Sequence, residues 1–289
     1  MEDAVRSPLT NTEQVELIER YATSDLIGQW EDTFGIDISN EFDGIERIWK
    51  YRCQETGLEF YHPLEAAGSG ELYEALQKFD WYYMPHKWEH DAAASDILCG
   101  DDVLEVGCGE GAFVEWIQEK KEADVHGIEL NERAVASAQR HGRPVTNEDL
   151  LELAEEQPGS YDVVCSFQVL EHILEVRSFI QASLDVLRPG GRLIFGVPDT
   201  GGFIGKVEND LLNQPPHHMT CWTSGVFRSL PSLFQMKLQR LAFEPLADYH
   251  LDWYASIQRD QLLSHFQENS VLRSVIFQVI HNLFLPLSR

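Results

Sequence analysis

Residues 101–111 read Asp-Asp-Val-Leu-Glu-Val-Gly-Cys-Gly-Glu-Gly: an acidic start, a short apolar run, then glycine at every second position. The run 102–106 has the length of a buried strand, and GAFVEWIQ behind it opens a helix. Gly107, Gly109 and Gly111 let the backbone turn tightly and approach a ligand with no Cβ in the way. Strand, bare loop and helix in that order make the first unit of an open α/β sheet, in which ligands sit beyond the carboxyl ends of the strands.

The same rhythm continues outward. Strands are expected at 102–106, 124–130, 144–146, 161–166 and 191–197, with helices near 111–121, 132–141, 150–156 and 174–187. Short apolar runs alternating with amphipathic helices predict a mostly parallel sheet covered on both faces. Two further strand candidates, MKLQRLAF (236–243) and YHLDWYASI (249–257), are joined by Glu-Pro-Leu-Ala-Asp. That link is too short for a crossover helix, so the pair is expected to be antiparallel. Upstream, 1–98 reads as a helical extension with one β-hairpin, IERIWKYRC (45–53) and LEFYHP (58–63) around Gln-Glu-Thr-Gly. The expected division is 1–98 for this extension, 99–262 for the α/β domain and 263–289 for a C-terminal apolar helix.

The 289 residues carry 48 acids against 22 bases, a net charge of −26 that repels phosphate backbones, so nucleic acid is not an expected partner. Only seven of the bases are lysine, a balance that suits solubility in high salt, where self-repulsion is screened. The five cysteines form no CxxC pair and their number is odd, which argues against a disulfide framework and for a reducing cytoplasm. No apolar run is long enough to span a bilayer, and the polar N-terminus lacks the pattern of a secretory signal.

The second strand, DVHGIEL, ends in Glu129, 22 positions after Gly107, where a carboxylate can accept hydrogen bonds from two ribose hydroxyls. Loop and acid together imply an adenosine-type ligand. The dinucleotide fingerprint is G-x-G-x-x-G, one residue longer than the G-x-G-x-G found here, and no phosphate-loop Lys follows. Glu105 and Glu110 flank the glycines; a pyrophosphate would be repelled there, whereas a sulfonium and an ammonium would be attracted.

With these residues in place, LEVGCGEG resembles the first motif of the class I S-adenosylmethionine-dependent methyltransferases, and four further segments resemble theirs in order: GIEL, NEDLLEL (147–153), YDVVCSFQVLEHI (161–173) and LRPGGRLIFGVPD (187–199). The resemblance implies a Rossmann-like, seven-stranded, mostly parallel sheet ending in an antiparallel hairpin, with S-adenosyl-L-methionine as cofactor. It implies that Glu105, Gly107, Cys108, Gly109 and Gly111 seat the methionine end. Glu129 would hold the ribose, Asp149 and Leu150 would frame adenine, and Leu130 and Phe167 would also contact the cofactor. VLEHI looks like the small-molecule branch, so the expected acceptor is a small molecule, glycan or lipid precursor. A nicotinamide-dependent oxidoreductase and an inactive cofactor-binding subunit are the rival readings; the glycine spacing disfavours the first.

Methyl transfer from a sulfonium is an in-line displacement in which orientation can contribute about 7–11 kcal/mol. A general base adds to this when the acceptor must lose a proton. Candidates for that base are His172, after the fourth strand, and His217 and His218 in NQPPHHMTCWTS (213–224), expected on a loop stiffened by Pro215-Pro216 above the pocket. Glu171, Trp222 and Tyr83 are the expected acceptor contacts, Tyr83 together with Tyr82 and Trp88 in the aromatic run before the first strand. Two histidines with Glu171 do not have the spacing of a metal site, and no metal is expected. YRCQETGLEFYHP is similar to half a zinc knuckle, but Thr56 replaces the second Cys and no zinc is expected there either. SVLRSVIFQVIHNLFLPLSR (270–289) reads as an apolar helix for docking, a homodimer contact or peripheral membrane contact.

Overall fold

The structure is a computed structural model that describes residues 4–79, 81, 82, 84–207, 209–247 and 250–264. In chain order it contains β1 (Val15–Ala22), α1 (Thr23–Phe34), β2 (Arg47–Cys53), β3 (Glu59–His62), α2 (Gly70–Leu76), α3 (Trp88–Ala94), β4 (Asp102–Val106) and α4 (Ala112–Lys121). There follow β5 (Asp124–Ile128), α5 (Glu132–Arg140), β6 (Val145–Thr146), α6 (Leu150–Glu156), β7 (Tyr161–Phe167), α7 (Val176–Asp185), β8 (Leu187–Gly196), β9 (Thr220–Cys221), α8 (Ser224–Leu233) and α9 (Leu251–Ser264).

Five strands form a parallel sheet in the order β6-β5-β4-β7-β8. The sheet's first strand in sequence, β4, lies at the centre, so strand order reverses between β4 and β7, and a crevice opens at the strand ends there. Alternate residues serve opposite faces. Val103, Val125, Val163 and Cys165 pack on α3, α4 and α5. Leu104, Val106, Ile128 and Val164 pack on α6, α7 and α8. Both faces are dry, which is why these strands read as nearly continuous apolar runs.

A second sheet, β1-β2-β3-β9, is antiparallel throughout. The hairpin expected near 45–63 is present as β2 and β3, with Arg52 opposite Glu59. Its neighbour β9 comes from residues far downstream, and β1 lies in a stretch whose sequence looked helical. Trp30, Ile48, Tyr61, Met219 and Cys221 build the core under this sheet. Residues 211–221 therefore add a strand and core side chains to the N-terminal sheet. Asp199 bridges Trp222 in parallel, and Thr200 donates to the Trp222 carbonyl at 3.0 Å, tying the exit of β8 to the second sheet.

Two expectations need correcting. The parallel sheet has five strands, not seven, and the terminal antiparallel hairpin is absent from the described residues. The segment 236–247 forms neither helix nor strand; Arg240 anchors it to the Ala92 carbonyl at 2.8 Å and to Asp96, in and just after α3. Much of the second candidate, 249–257, is helical as α9, because Phe203 packs against Trp253 and Tyr254 with ring centroids 5.1 and 5.6 Å apart. Adjacent residues share a partner in this way on a helix, whereas on a strand they would point apart. Tyr83 and the expected helix at 270–289 lie outside the described residues.

Candidate active site

The glycine loop is shaped by left-handed backbone at Gly107, Gly109 and Gly111, with φ of 71°, 55° and 73°. At Gly107 the side chain is excluded twice over, because a Cβ would also stand 2.5 Å from Cγ2 of Val169. That contact presses the loop after β7 onto the loop after β4. Gly107 and Cys108 both donate to the Ile128 carbonyl, at 2.9 and 3.2 Å. Cys108 itself is a buried packing residue against Gly127, and burial pushes its thiol up.

Glu129 stands at the end of β5, as the sequence predicts. Its Oε2 accepts from Gly109 N–H at 2.9 Å and its Oε1 from Asn131 N–H at 2.8 Å. Each oxygen keeps acceptor capacity for a hydroxyl. Leu130 beside it is 67 % exposed and offers an apolar face at the crevice rim. Asp149 caps α6, accepting from Leu151 N–H at 2.8 Å and Glu152 N–H at 3.3 Å. Leu150 points inward, among the core side chains under α6 and α7.

Glu105 lies beneath the loop at 5 % exposure, and its Oε2 has no hydrogen-bond partner. Burial first and the Glu129 charge second push its carboxyl up to about 8. A cation arriving above it would find an acid ready to ionise. Phe167 is buried edge-on against Phe113 and His90, centroids 4.9 and 5.2 Å away, and so acts as a wall of the core.

Sequence reasoning missed Gln168, which follows β7 with φ of 56°. Non-glycine residues held in that region cost of order 1–3 kcal/mol and gather at functional sites. Gln168 N–H donates to Gly196 O at 2.8 Å and its side-chain amide to Glu89 at 3.2 Å. Nothing in the letters of the sequence marks such a backbone angle. Lys87 was missed as well; its charge opposes the rise of the carboxyl pKa at both Glu105 and Glu171.

The chain then makes a 3-10 turn, Leu170–His172, and this turn meets the 213–224 segment. Met219 N–H donates to the Glu171 carbonyl at 2.9 Å, and Thr220 Oγ1 donates to the Leu170 and Glu171 carbonyls at 3.3 Å. The expectation that His217 and His218 are displayed on an open loop is corrected here, because both are buried, at 5 % and 6 % exposure. Addition of β9 to the second sheet carries them inward. Trp222, expected at the acceptor, is 1 % exposed, its Nε1 donates to Thr220 Oγ1 at 2.9 Å, and it borders the groove beside β8.

His172, His217 and His218 nevertheless come together, with ring centroids 4.4–4.9 Å apart. His172 Nδ1 meets the His217 carbonyl at 2.6 Å and Tyr73 Oη at 3.1 Å. His217 Nδ1 meets the Leu212 carbonyl at 2.8 Å, and its Nε2 meets Tyr82 Oη at 2.6 Å. His218 Nδ1 meets Asn213 Oδ1 at 3.1 Å. Burial pushes the imidazoles down, His172 to about 4, His217 to about 3 and His218 well below its usual range, so all three are neutral. Glu171 is buried beside them, and burial pushes its carboxyl up to about 8.

On the other side of the β7 end, a groove of about 1710 Å³ runs along the free edge of β8, with Phe195, Val197, Phe203 and Phe243 among its lining residues. It reaches Phe167, Gln168 and Gly196, so an apolar molecule lying in it can approach the crevice.

Comparison with known proteins agrees with this geometry. Residues 104–195, from β4 to β8, match the family model described as a methyltransferase domain. Over 107 residues the chain is 36 % identical to a ubiquinone biosynthesis O-methyltransferase of Idiomarina loihiensis, covering 35 % of this chain and 44 % of that protein. Over 107 residues it is 38 % identical to the protein of that name from Pseudomonas savastanoi pv. phaseolicola, covering 34 % and 44 %. The match thus spans less than half the length of these curated relatives. Among solved structures, a SAM-dependent methyltransferase of Archaeoglobus fulgidus aligns with a TM-score of 0.42 and 16 % identity over 75 % of this chain and 88 % of that one. A further S-adenosylmethionine-dependent methyltransferase, from Mesorhizobium loti, aligns with a TM-score of 0.34 and 26 % identity over 40 % and 56 %. The glycine crook between the first two strands, the acid that ends the second and the central placement of β4 are all contained in or abut residues 104–195, the stretch that matches the methyltransferase-domain model.

Proposed function

We propose that the protein transfers a methyl group from S-adenosyl-L-methionine to a small-molecule acceptor. The observation that carries this reading is the pairing of Glu129 with the loop it must serve. Its carboxylate is fixed by Gly109 and Asn131 N–H groups at the mouth of the crevice, and Glu105 lies beneath with its Oε2 unpartnered. That arrangement favours a ribose at Glu129 and a cationic sulfonium and ammonium over the loop. A pyrophosphate would meet the Glu129 carboxylate there and would keep the Glu105 carboxyl protonated.

The sulfonium already activates the methyl group, so the protein's main task is to hold acceptor, methyl and sulfur in line. The apolar groove along β8 suits an acceptor with an apolar body, and O-methyltransferase in the relatives' names supports a hydroxyl as the acceptor group. On the deprotonating side stand His172, His217 and His218, immediately beyond β7.

Calorimetry with S-adenosylhomocysteine tests the reading. Saturable binding is expected, with no heat from NAD. Glu129→Ala should weaken it about 100-fold, the loss of two charge-assisted hydrogen bonds at about 1.5 kcal/mol each. Saturation by NAD alongside silence with S-adenosylhomocysteine would overturn it.

A further inference from the structure

Neither oxygen of the buried Glu171 carboxylate has a hydrogen-bond partner, and one donor atom from each of His172, His217 and His218 lies within 4.8 Å of the others. We propose that these three imidazoles, with Glu171 as the acidic member, bind one divalent first-row transition metal ion, for which zinc is the best match.

The orientation of the rings is the first argument. Each Nδ1 faces an oxygen acceptor: the His217 carbonyl, the Leu212 carbonyl and Asn213 Oδ1 respectively. Each Nδ1 therefore carries the proton, and each Nε2 keeps its lone pair. Ligating histidines are oriented in the same way, with the distal N–H donated to a carbonyl or carboxylate. Neutral imidazole is the form that binds, and three imidazoles with one oxygen suit zinc.

Glu171 is the second argument and is independent of the first. A buried carboxylate without partners is costly, and such groups call for an ion or a water to pair with them. Its Oε1 stands 3.8 Å from His218 Nε2, so a small movement brings it to an ion held by the histidines. Once it gives up its proton to a bound ion, its one negative charge would offset half of a dication's.

The third argument is rigidity. The Met219 and Thr220 hydrogen bonds to the Leu170–His172 turn fix the two ligand-bearing segments against each other before any ion arrives. Contraction is still required, since nitrogens sharing one zinc at about 2.0–2.1 Å stand roughly 3.3 Å apart. Tyr82 opposes loading, because its hydroxyl donates to His217 Nε2 at 2.6 Å and must yield that lone pair to the ion.

Binding of the ion stands on this geometry alone. Its part in turnover, lowering the pKa of an acceptor hydroxyl near the end of β7, rests on the methyltransferase reading. The test uses the full chain without a histidine tag, stripped with EDTA, loaded with Zn²⁺ or Co²⁺ and desalted. About one equivalent of metal should remain by elemental analysis, the cobalt form should show visible four-coordinate absorption, and zinc should raise the melting temperature. His217→Ala and His218→Ala should abolish retention, and Glu171→Gln should weaken it about 10–100-fold. Tyr82→Phe, which removes no ligand and little volume, should tighten zinc binding several-fold. Wild-type protein that binds S-adenosylhomocysteine yet retains neither metal would overturn the proposal and leave the methyltransferase reading intact; metal retention without cofactor binding would do the reverse. Unchanged zinc affinity in Tyr82→Phe, or undiminished retention in both histidine variants, would also overturn it.

Discussion

The two sheets of this protein are built by opposite rules. The parallel sheet is sequential, each strand followed by the helix that covers it, and it presents its ligand loops at one edge. The antiparallel sheet is assembled from distant pieces: β1, β2 and β3 lie within residues 15–62, whereas β9 is a two-residue strand at 220–221. The first sheet supplies the cofactor crevice. The second decides where the histidines point, since β9 draws them under the Leu170–His172 turn. A site with one half on each sheet depends on their junction.

Trp222→Ala attacks that junction directly. The side chain is 1 % exposed within the core of the α/β domain, and its backbone joins β9 to the exit of β8. The expected loss is about 3–5 kcal/mol, with both sheets melting in one transition by circular dichroism. Two separated transitions would show that the sheets are independent units.

Gly107→Ala tests the parallel sheet alone. The new Cβ meets Val169 at a strained φ, and about 1–3 kcal/mol of stability should be lost, with weaker binding of S-adenosylhomocysteine. Adding Val169→Ala should restore the part due to collision and leave the backbone strain.

Glu105 sharpens the contrast through pH. Its carboxyl is pushed up to about 8 in the folded protein from an ordinary value of 4.5. Between those values the folded state holds a proton that the unfolded state has lost, so this group's contribution is full below about 4.5 and disappears as pH rises through about 8. Chemical denaturation of Glu105→Gln between pH 6.5 and 8 should show a flatter decline than wild type, by about 1 kcal/mol per pH unit. A parallel decline would mean that Glu105 is ionised when buried. The smallest effect concerns the whole surface: with a net charge of −26, the melting temperature should rise with KCl, and an unchanged value would remove the reading of salt adaptation.

Most of the parallel sheet was legible in the sequence because its signals are local. The strands at 102–106 and 161–167 and the helix at 150–156 announce themselves by apolar runs, glycines and caps within a few residues. The glycine loop and Glu129 were legible for the same reason. The strand β1 was not, since its half-exposed residues alternate imperfectly and a register shift falls between Leu17 and Glu19. Nor was the fate of 236–257, where Arg240 and Phe203 provide partners that no local pattern reveals. Within the site, Gln168 was hidden because a backbone angle has no letter, and the histidine cluster because residues 172 and 217 are neighbours only after β9 has paired.

The sequence by itself determined the order of strands and helices between residues 102 and 196, the ligand loop with its acid, and the sign of the field around them, because each is fixed by residues close along the chain. Only the tertiary structure decided that His172, His217 and His218 converge, that Glu171 is buried beside them and that Trp222 belongs to the core. Those outcomes depend on long-range strand pairing and on which side chains lose water together, and neither is encoded in any short stretch.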